Sequence, residues 1–189
     1  MLRAGNVLKK KGKEDLMADR KQALLKRLEG FFKEDETIEE ASLFSAEELG
    51  TPMDMVRVLV TDYGAGLTDI LAEYSFIPFE EADEVWYFSS VLTIDTDIPK
   101  EGVSALSCAI AKLNFYLPYG DFALSGDGRM LVYRSVTALR SDSDDENLYK
   151  DIELAADTAL LVPEQYVELL SQVADGSLLL NDFLSTLPQ

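Results

Sequence analysis

The sequence predicts an α+β fold in which helices cover a mainly antiparallel sheet. Two patterns carry this expectation. Period-two apolar runs bounded by turn residues mark five strands. Period-3.6 apolar stripes, some with capping residues at their starts, mark helices before, between and after the strands. The order is helix, three strands, helix, two strands, C-terminal helices, and tight connections make neighbouring strands antiparallel.

Residues 1–13 read as a flexible basic tail, with Gly5, Gly12 and a run of lysines at Lys9, Lys10, Lys11 and Lys13. Residues 14–54 read as an amphipathic helix and a connector. In the helix, 14–32, Leu24, Leu28, Phe31 and Phe32 share one stripe, which Leu16, Met17 and Leu25 widen. A lone helix of this length is marginal in water, so the stripe requires a partner surface. The connector holds one short helical turn. Ser45 and Glu48 have capping-box spacing there, and Gly50, Thr51 and Pro52 end the turn.

Residues 55–189 read as the α+β domain. The first strand, 55–62, sets Val56, Val58 and Val60 on one face. A turn at Gly64, Ala65 and Gly66 leads to the second strand, 67–77, which Pro78 ends. An acidic turn from Glu80 to Asp83 precedes the third strand, 85–94, where Trp86, Phe88, Leu92 and Ile94 face one way. Pro99 is placed at the first turn of a helix lined by Val103, Leu106, Ile110 and Leu113. A hairpin of 121–125 and 130–138 turns at Gly126, Asp127 and Gly128. Ser143 and Glu146 form a second capping box, with Asp144 and Asp145 beside the positive end of a helix that reaches about 161. Pro163 is expected to start a further helix, Gly176 to end it, and 178–187 to form the last.

Charge divides the chain. Its 189 residues carry 35 Asp and Glu against 17 Lys and Arg, for a net charge of -18. Such a surface repels nucleic acid and anionic membranes. Up to Lys33, however, ten basic residues stand against four acidic ones, while seven stand against 31 in the remainder. A basic arm thus precedes an acidic body. It is expected to dock on its own body or on a sister subunit, with an anionic external ligand as the alternative. The single cysteine, Cys108, allows no intramolecular disulfide and fits a reducing compartment. No stretch has the apolar length of a membrane span, and no apolar export signal follows the N-terminal lysines, so a cytoplasmic protein is expected.

The absence of histidine excludes Ser-His-Asp and Cys-His catalysis and removes the commonest transition-metal ligand. Cys108, one residue from a core position, reads as a buried structural thiol. Gly64-Ala65-Gly66 lacks the lysine and hydroxyl of a phosphate-binding loop and joins two strands, so it reads as a turn. Asp95 with Asp97, and the run Asp142, Asp144, Asp145 and Glu146, could supply oxygen ligands to calcium or magnesium. Helix capping already accounts for the run. No catalytic, cofactor or metal site is therefore expected. The aromatics in turns form the candidate protein-binding surface: Phe76, Phe79 and Trp86 between the second and third strands, and Phe115, Tyr116 and Tyr119 around Pro118 and Gly120.

The stretch from Asn114 through Phe115, Tyr116, Leu117, Pro118, Tyr119, Gly120 and Asp121 to Phe122 is followed by Asp127, Gly128, Leu131, Val132, Tyr133 and Arg134. Together with 94–99 it resembles the YbjN-like family, proposed bacterial sensory transduction regulators similar in fold to type III secretion chaperones. The resemblance spans about 55–176. It implies a non-enzymatic, chaperone-like or regulatory binding domain, often dimeric, with no catalytic residues to carry over.

Three functions follow as expectations. The first is a cytoplasmic protein-binding module, expected to be a homodimer, without cofactor, nucleic acid or membrane. The second is an acidic inhibitor or immunity-type protein that neutralises a basic partner. The third is a metal-assisted hydrolase built on Asp95, Asp97 or the 142–146 run. A continuous exposed apolar strip on the sheet favours the first, and a deep polar pocket favours the third.

Overall fold

Side chains alternate across a strand, so the valines at 56, 58 and 60 and the run Trp86, Phe88, Leu92 and Ile94 turn one side of the sheet into a surface that must be covered. The computed structural model describes residues 2–79, 84–95 and 97–187, with side chains from Leu16 onward except at Asp95. Six strands form one antiparallel sheet in the order β1-β2-β3-β4-β6-β5. They are β1 (Ile38–Phe44), β2 (Met55–Tyr63), β3 (Thr68–Ile77), β4 (Val85–Asp95), β5 (Asp121–Leu124) and β6 (Leu131–Arg140). The helices are α1 (Leu2–Lys33), α2 (Ala46–Leu49), α3 (Val103–Leu113), α4 (Asp145–Asp175) and α5 (Leu180–Thr186). The class is α+β, as the patterning predicts. The acidic turn expected at Glu80 to Asp83 lies outside the described residues.

One face of the sheet forms the core. Val56, Val58, Tyr74, Phe88, Leu92 and Tyr133 are buried on it beneath the helices. Helix α1 lies over β1, β2 and β3, α4 lies over β4 and β6, and α3 meets β5. Leu24, Leu25, Leu28 and Phe32 of α1 are buried in this core, with Phe32 stacked on Tyr74 at 5.1 Å between ring centroids. The expected division at residue 55 therefore does not separate two units, because α1 and β1 complete the same core.

The basic half of α1 that packs on the body does so in cis. Arg20 donates to the Asp145 carboxylate at 2.6 Å and to the carbonyls of Ser141 and Ser143, while Arg27 pairs with Glu146 at 3.1 Å. The Arg27 guanidinium also lies 3.8 Å from the centre of the Tyr149 ring, a favourable cation–π placement.

Four other elements differ from expectation, each for a physical reason. Residues 2–13 are helical rather than a tail, since propagation from an anchored helix adds a hydrogen bond per residue and outweighs two glycines. The 34–54 connector contains strand β1. It is an edge strand paired only with β2, and Ala41 is its one buried residue, so no apolar alternation announces it. Pro163 lies inside one 31-residue helix instead of starting a new one. Proline removes a helical N–H and disturbs the preceding turn. Here Pro163 is itself buried, and the Tyr63 hydroxyl donates to the Leu160 carbonyl in that turn. Helix α3 starts at Val103 with Gly102 as N-cap, and Pro99 instead opens the preceding turn, accepting from Gly102 N–H at 3.0 Å.

The caps follow the same chemistry as expected, with one shift. Ser45 and Glu48 form the reciprocal capping box. At α4 the N-cap is Asp144 rather than Ser143, its carboxylate accepting from Asn147 N–H at 3.0 Å, and Gly176 ends the helix in the left-handed region. Cys108 is exposed rather than buried, because α3 buries the narrow stripe of Leu106, Ala109, Ile110 and Leu113.

Candidate functional site

The helices leave the second face of the sheet open. Strand register sets its side chains in rows. One row runs Phe44, Met55, Ser75, Ser89 and Val136 across five strands. The next runs Arg57, Glu73, Val91, Arg134 and Asp121. A third runs Glu40, Leu59, Leu71, Thr93, Val132 and Ala123, and a shorter one Ile77, Tyr87 and Ala138. Most of these positions are half-buried, Val136 is 50% exposed, and only Ser75 is sunk below the surface.

A sheet face that meets water normally carries polar residues at these alternate positions. Valines are favoured in strands for their own sake, so Val91, Val132 and Val136 count for less. Met55, Leu59 and Leu71 have no such preference, and their outward placement marks a face built for contact. None of the six strands contains a lysine, the residue that most often keeps sheet surfaces soluble.

Two ion pairs compensate charges on this face, while Glu40, in register with Leu59, stands exposed on it. Arg57 meets Glu73 at 2.9 Å across β2 and β3 and lies 5.6 Å from the Phe44 ring centre. Arg134 meets Asp121 at 3.2 Å across β6 and β5. The face thus has an apolar centre, two compensated pairs and the exposed Glu40 carboxylate on edge strand β1, on a chain whose net charge is -18.

The aromatics singled out in the sequence separate into three groups. Phe76 and Trp86 are core residues, packed edge to face at 5.6 Å and covered by α1, where Lys21 Nζ lies 5.0 Å from the Trp86 ring centre. Both are therefore withdrawn from the binding surface; the turn beside them suggested exposure, but their strand parity points inward. Phe79 is 60% exposed and packs edge to face on Tyr87 at 5.0 Å, which extends the open face. Phe115 and Tyr116 form a separate exposed pair, 82% and 41% exposed. Tyr119 is half-buried, with its hydroxyl on Thr137 and its carbonyl accepting from the Tyr133 hydroxyl at 2.5 Å.

The carboxylates weighed as metal ligands have other partners. Asp97 pairs with Arg129 at 2.7 Å, Asp142 with Arg140 at 2.8 Å, Asp145 with Arg20 and Glu146 with Arg27. Asp144 caps α4, and the side chain of Asp95 lies outside the described residues. Among the described residues no three Cys, Asp or Glu side chains converge to hold a metal ion.

A cavity of about 310 Å³ lies between the start of β1, the end of β2 and helix α4, bounded by Asp35, Asp62, Tyr63, Asp157 and Glu164. Burial, aided by the charges of Glu153 and Asp35, raises the Asp157 carboxyl above its ordinary value. A carboxyl held above its unfolded pKa is a destabilising charge at neutral pH, and the penalty is relieved as pH falls through the folded pKa. Asp157→Asn should therefore melt higher than the parent chain at pH 7, with the difference closing under acid; equal melting at pH 7 contradicts this. Burial and the charge of Glu164 push the Tyr63 phenol far up, so it stays a neutral donor to the Leu160 carbonyl.

The fold defines an α+β protein with one helical layer and, among the described residues, one sheet face that no helix covers. Comparison with known protein families, curated proteins and solved structures gives no match. Among the described residues no helix is long and apolar enough to cross a membrane.

Proposed function

We propose that this chain is a non-enzymatic, cytoplasmic protein-binding module that docks its partner on the open face of the sheet. The observation that carries the reading is the outward placement of Met55, Leu59 and Leu71 on lysine-free strands, beside Tyr87 and Val136. Interfaces bury apolar and aromatic centres and deplete lysine, and this face has that composition. The resemblance to YbjN-like proteins supports the same class of role, chaperone-like or regulatory. The Glu73 and Asp121 carboxylates are already matched by arginines, so a basic partner would find Glu40 at the β1 edge rather than an acidic centre.

The test is site-specific photocrosslinking in cells that make the full chain. A photoreactive residue at Leu71 or Val136 should give protein adducts, and one at Lys150, on the exposed side of α4, should not. Leu59→Lys should suppress the adducts without changing the circular dichroism spectrum. Equal adducts at all three positions, or none at Leu71 and Val136, overturn the reading.

A further inference from the structure

We propose that the cavity between β1, β2 and α4 binds an aliphatic polyamine, with its ammonium groups on Asp35, Asp62, Asp157 and Glu164 and its carbon chain against Ile38 and Leu160. This goes beyond the docking reading and uses none of Met55, Leu59, Leu71 or Val136.

Charge is the first argument. Four carboxylates line this one cavity, and among the described residues none of them pairs with an arginine or lysine. Elsewhere the body matches its carboxylates: Asp97, Asp121, Asp142 and Asp145 each meet an arginine. Unmatched like charges around one hollow repel, and partial burial at Asp157 adds a desolvation cost. The β2 bulge between Val60 and Tyr63, where Asp62 holds φ at 54°, brings a further carboxylate into the lining rather than away from it. A cation in the hollow relieves both costs.

A buried hydroxyl gives the second, independent argument. Tyr74 is fully buried, and its hydroxyl has no hydrogen-bond partner in the protein. Such an orphan is costly and rare in a folded core. The ionisable groups whose fields reach it are Tyr63 and Asp157, both of which line the cavity, so the hydroxyl faces the cavity's inner wall. An ammonium drawn in against Asp157 offers the donor that this hydroxyl lacks.

Shape selects the kind of cation. Among the described residues no three Cys, Asp or Glu side chains converge on one point, as a calcium or magnesium ion requires. The carboxylates are instead spread around a volume of about 310 Å³, room for about ten waters or for a chain of about ten heavy atoms. Apolar side chains stand between them. A polyamine has the same alternation, with point charges separated by methylene runs.

Isothermal titration calorimetry of the full chain with spermidine tests this, in about 150 mM sodium chloride to screen diffuse attraction to the acidic body. The expected result is one saturable site per chain. Asp157→Asn, expected above to melt higher than the parent, stays folded and should weaken binding about tenfold or more, as loss of one charge-assisted hydrogen bond does. Asp62→Asn should do the same from the β2 side. Asp19→Asn makes an equal charge change on the exposed side of α1, on the order of 20 Å along the helix from its Asp35 end, and should leave the affinity within about twofold. Magnesium chloride at about 5 mM should not displace spermidine. The same alkylammonium chemistry is carried by a protein lysine, for which Nα-acetyl-lysine amide stands in. With one charge it should bind at least about tenfold more weakly than spermidine. Equal affinity assigns the cavity to a protein side chain and overturns the polyamine. No saturable site up to about 1 mM spermidine, an equal loss from Asp19→Asn, or displacement by magnesium also overturns the inference.

Discussion

Gly102→Ala is expected to cost about 3 kcal/mol or more of stability, within the upper range of overpacking substitutions. The backbone at Gly102 has φ -81° and ψ -21°, which any residue adopts, so conformation is not the obstacle. Space is. A Cβ there would sit 1.8 Å from the carbonyl oxygen of Ala174 and 2.7 Å from its carbon. These are backbone atoms in the last turn of α4 and cannot rotate away. The start of α3 and the end of α4 would have to separate, disturbing Leu106, Leu170, Val173 and Phe183 in the core they share. For a chain of this size the loss should lower Tm by on the order of 10 °C. Gly126→Ala is the control, since nothing lies within 4 Å of its added Cβ. Thermal melts that place the two variants within a couple of degrees of each other contradict the close approach of α3 and α4.

Leu28→Ala is expected to destabilise the whole chain by about 3 kcal/mol, as large-to-small changes in a packed core do. Leu28 is fully buried, and α1 touches β1, β2, β3 and α4. Urea unfolding should show one transition with a lower midpoint and the parent's slope. A separate early transition for α1, or a loss under about 1 kcal/mol, would mean that the helix is an appendage to a domain beginning near residue 55.

These two positions show where sequence reasoning reaches and where it stops. The stripe of Leu24, Leu28 and Phe32 was legible because a helix repeats its buried face every three or four residues. The surface it covers was not, since packing partners are distant in sequence. Inner strand faces were equally legible from Val56, Val58 and Val60 and from Trp86 to Ile94. Strand β1 escaped because an edge strand over a shallow part of the core needs only Ala41. Pro163 misled because a breaker's cost can be absorbed by tertiary packing, here its own burial and the hydroxyl of Tyr63.

The candidate site was legible in part. Attention to aromatics in turns found Phe79, which adjoins the open face through Tyr87, but included Phe76 and Trp86, whose parity places them in the core. The stronger signal lay on the other parity of the same strands. Met55, Leu59 and Leu71 interleave with the buried valines, isoleucine and alanine, and the strands lack lysine. Such a run reads as ordinary strand until the structure shows that helices cover only one of its faces.

Oxidative footprinting of the full chain tests the docking face most directly. Met55 and Tyr87 lie on that face and carry oxidisable side chains, while Phe115 and Tyr116 lie away from it in the turn after α3. Labelling is compared between dilute purified protein and the concentrated protein in cell extract. The account predicts that Met55 and Tyr87 become protected in the second condition while Phe115 and Tyr116 do not. Unchanged labelling at Met55 and Tyr87, or protection confined to Phe115 and Tyr116, contradicts it.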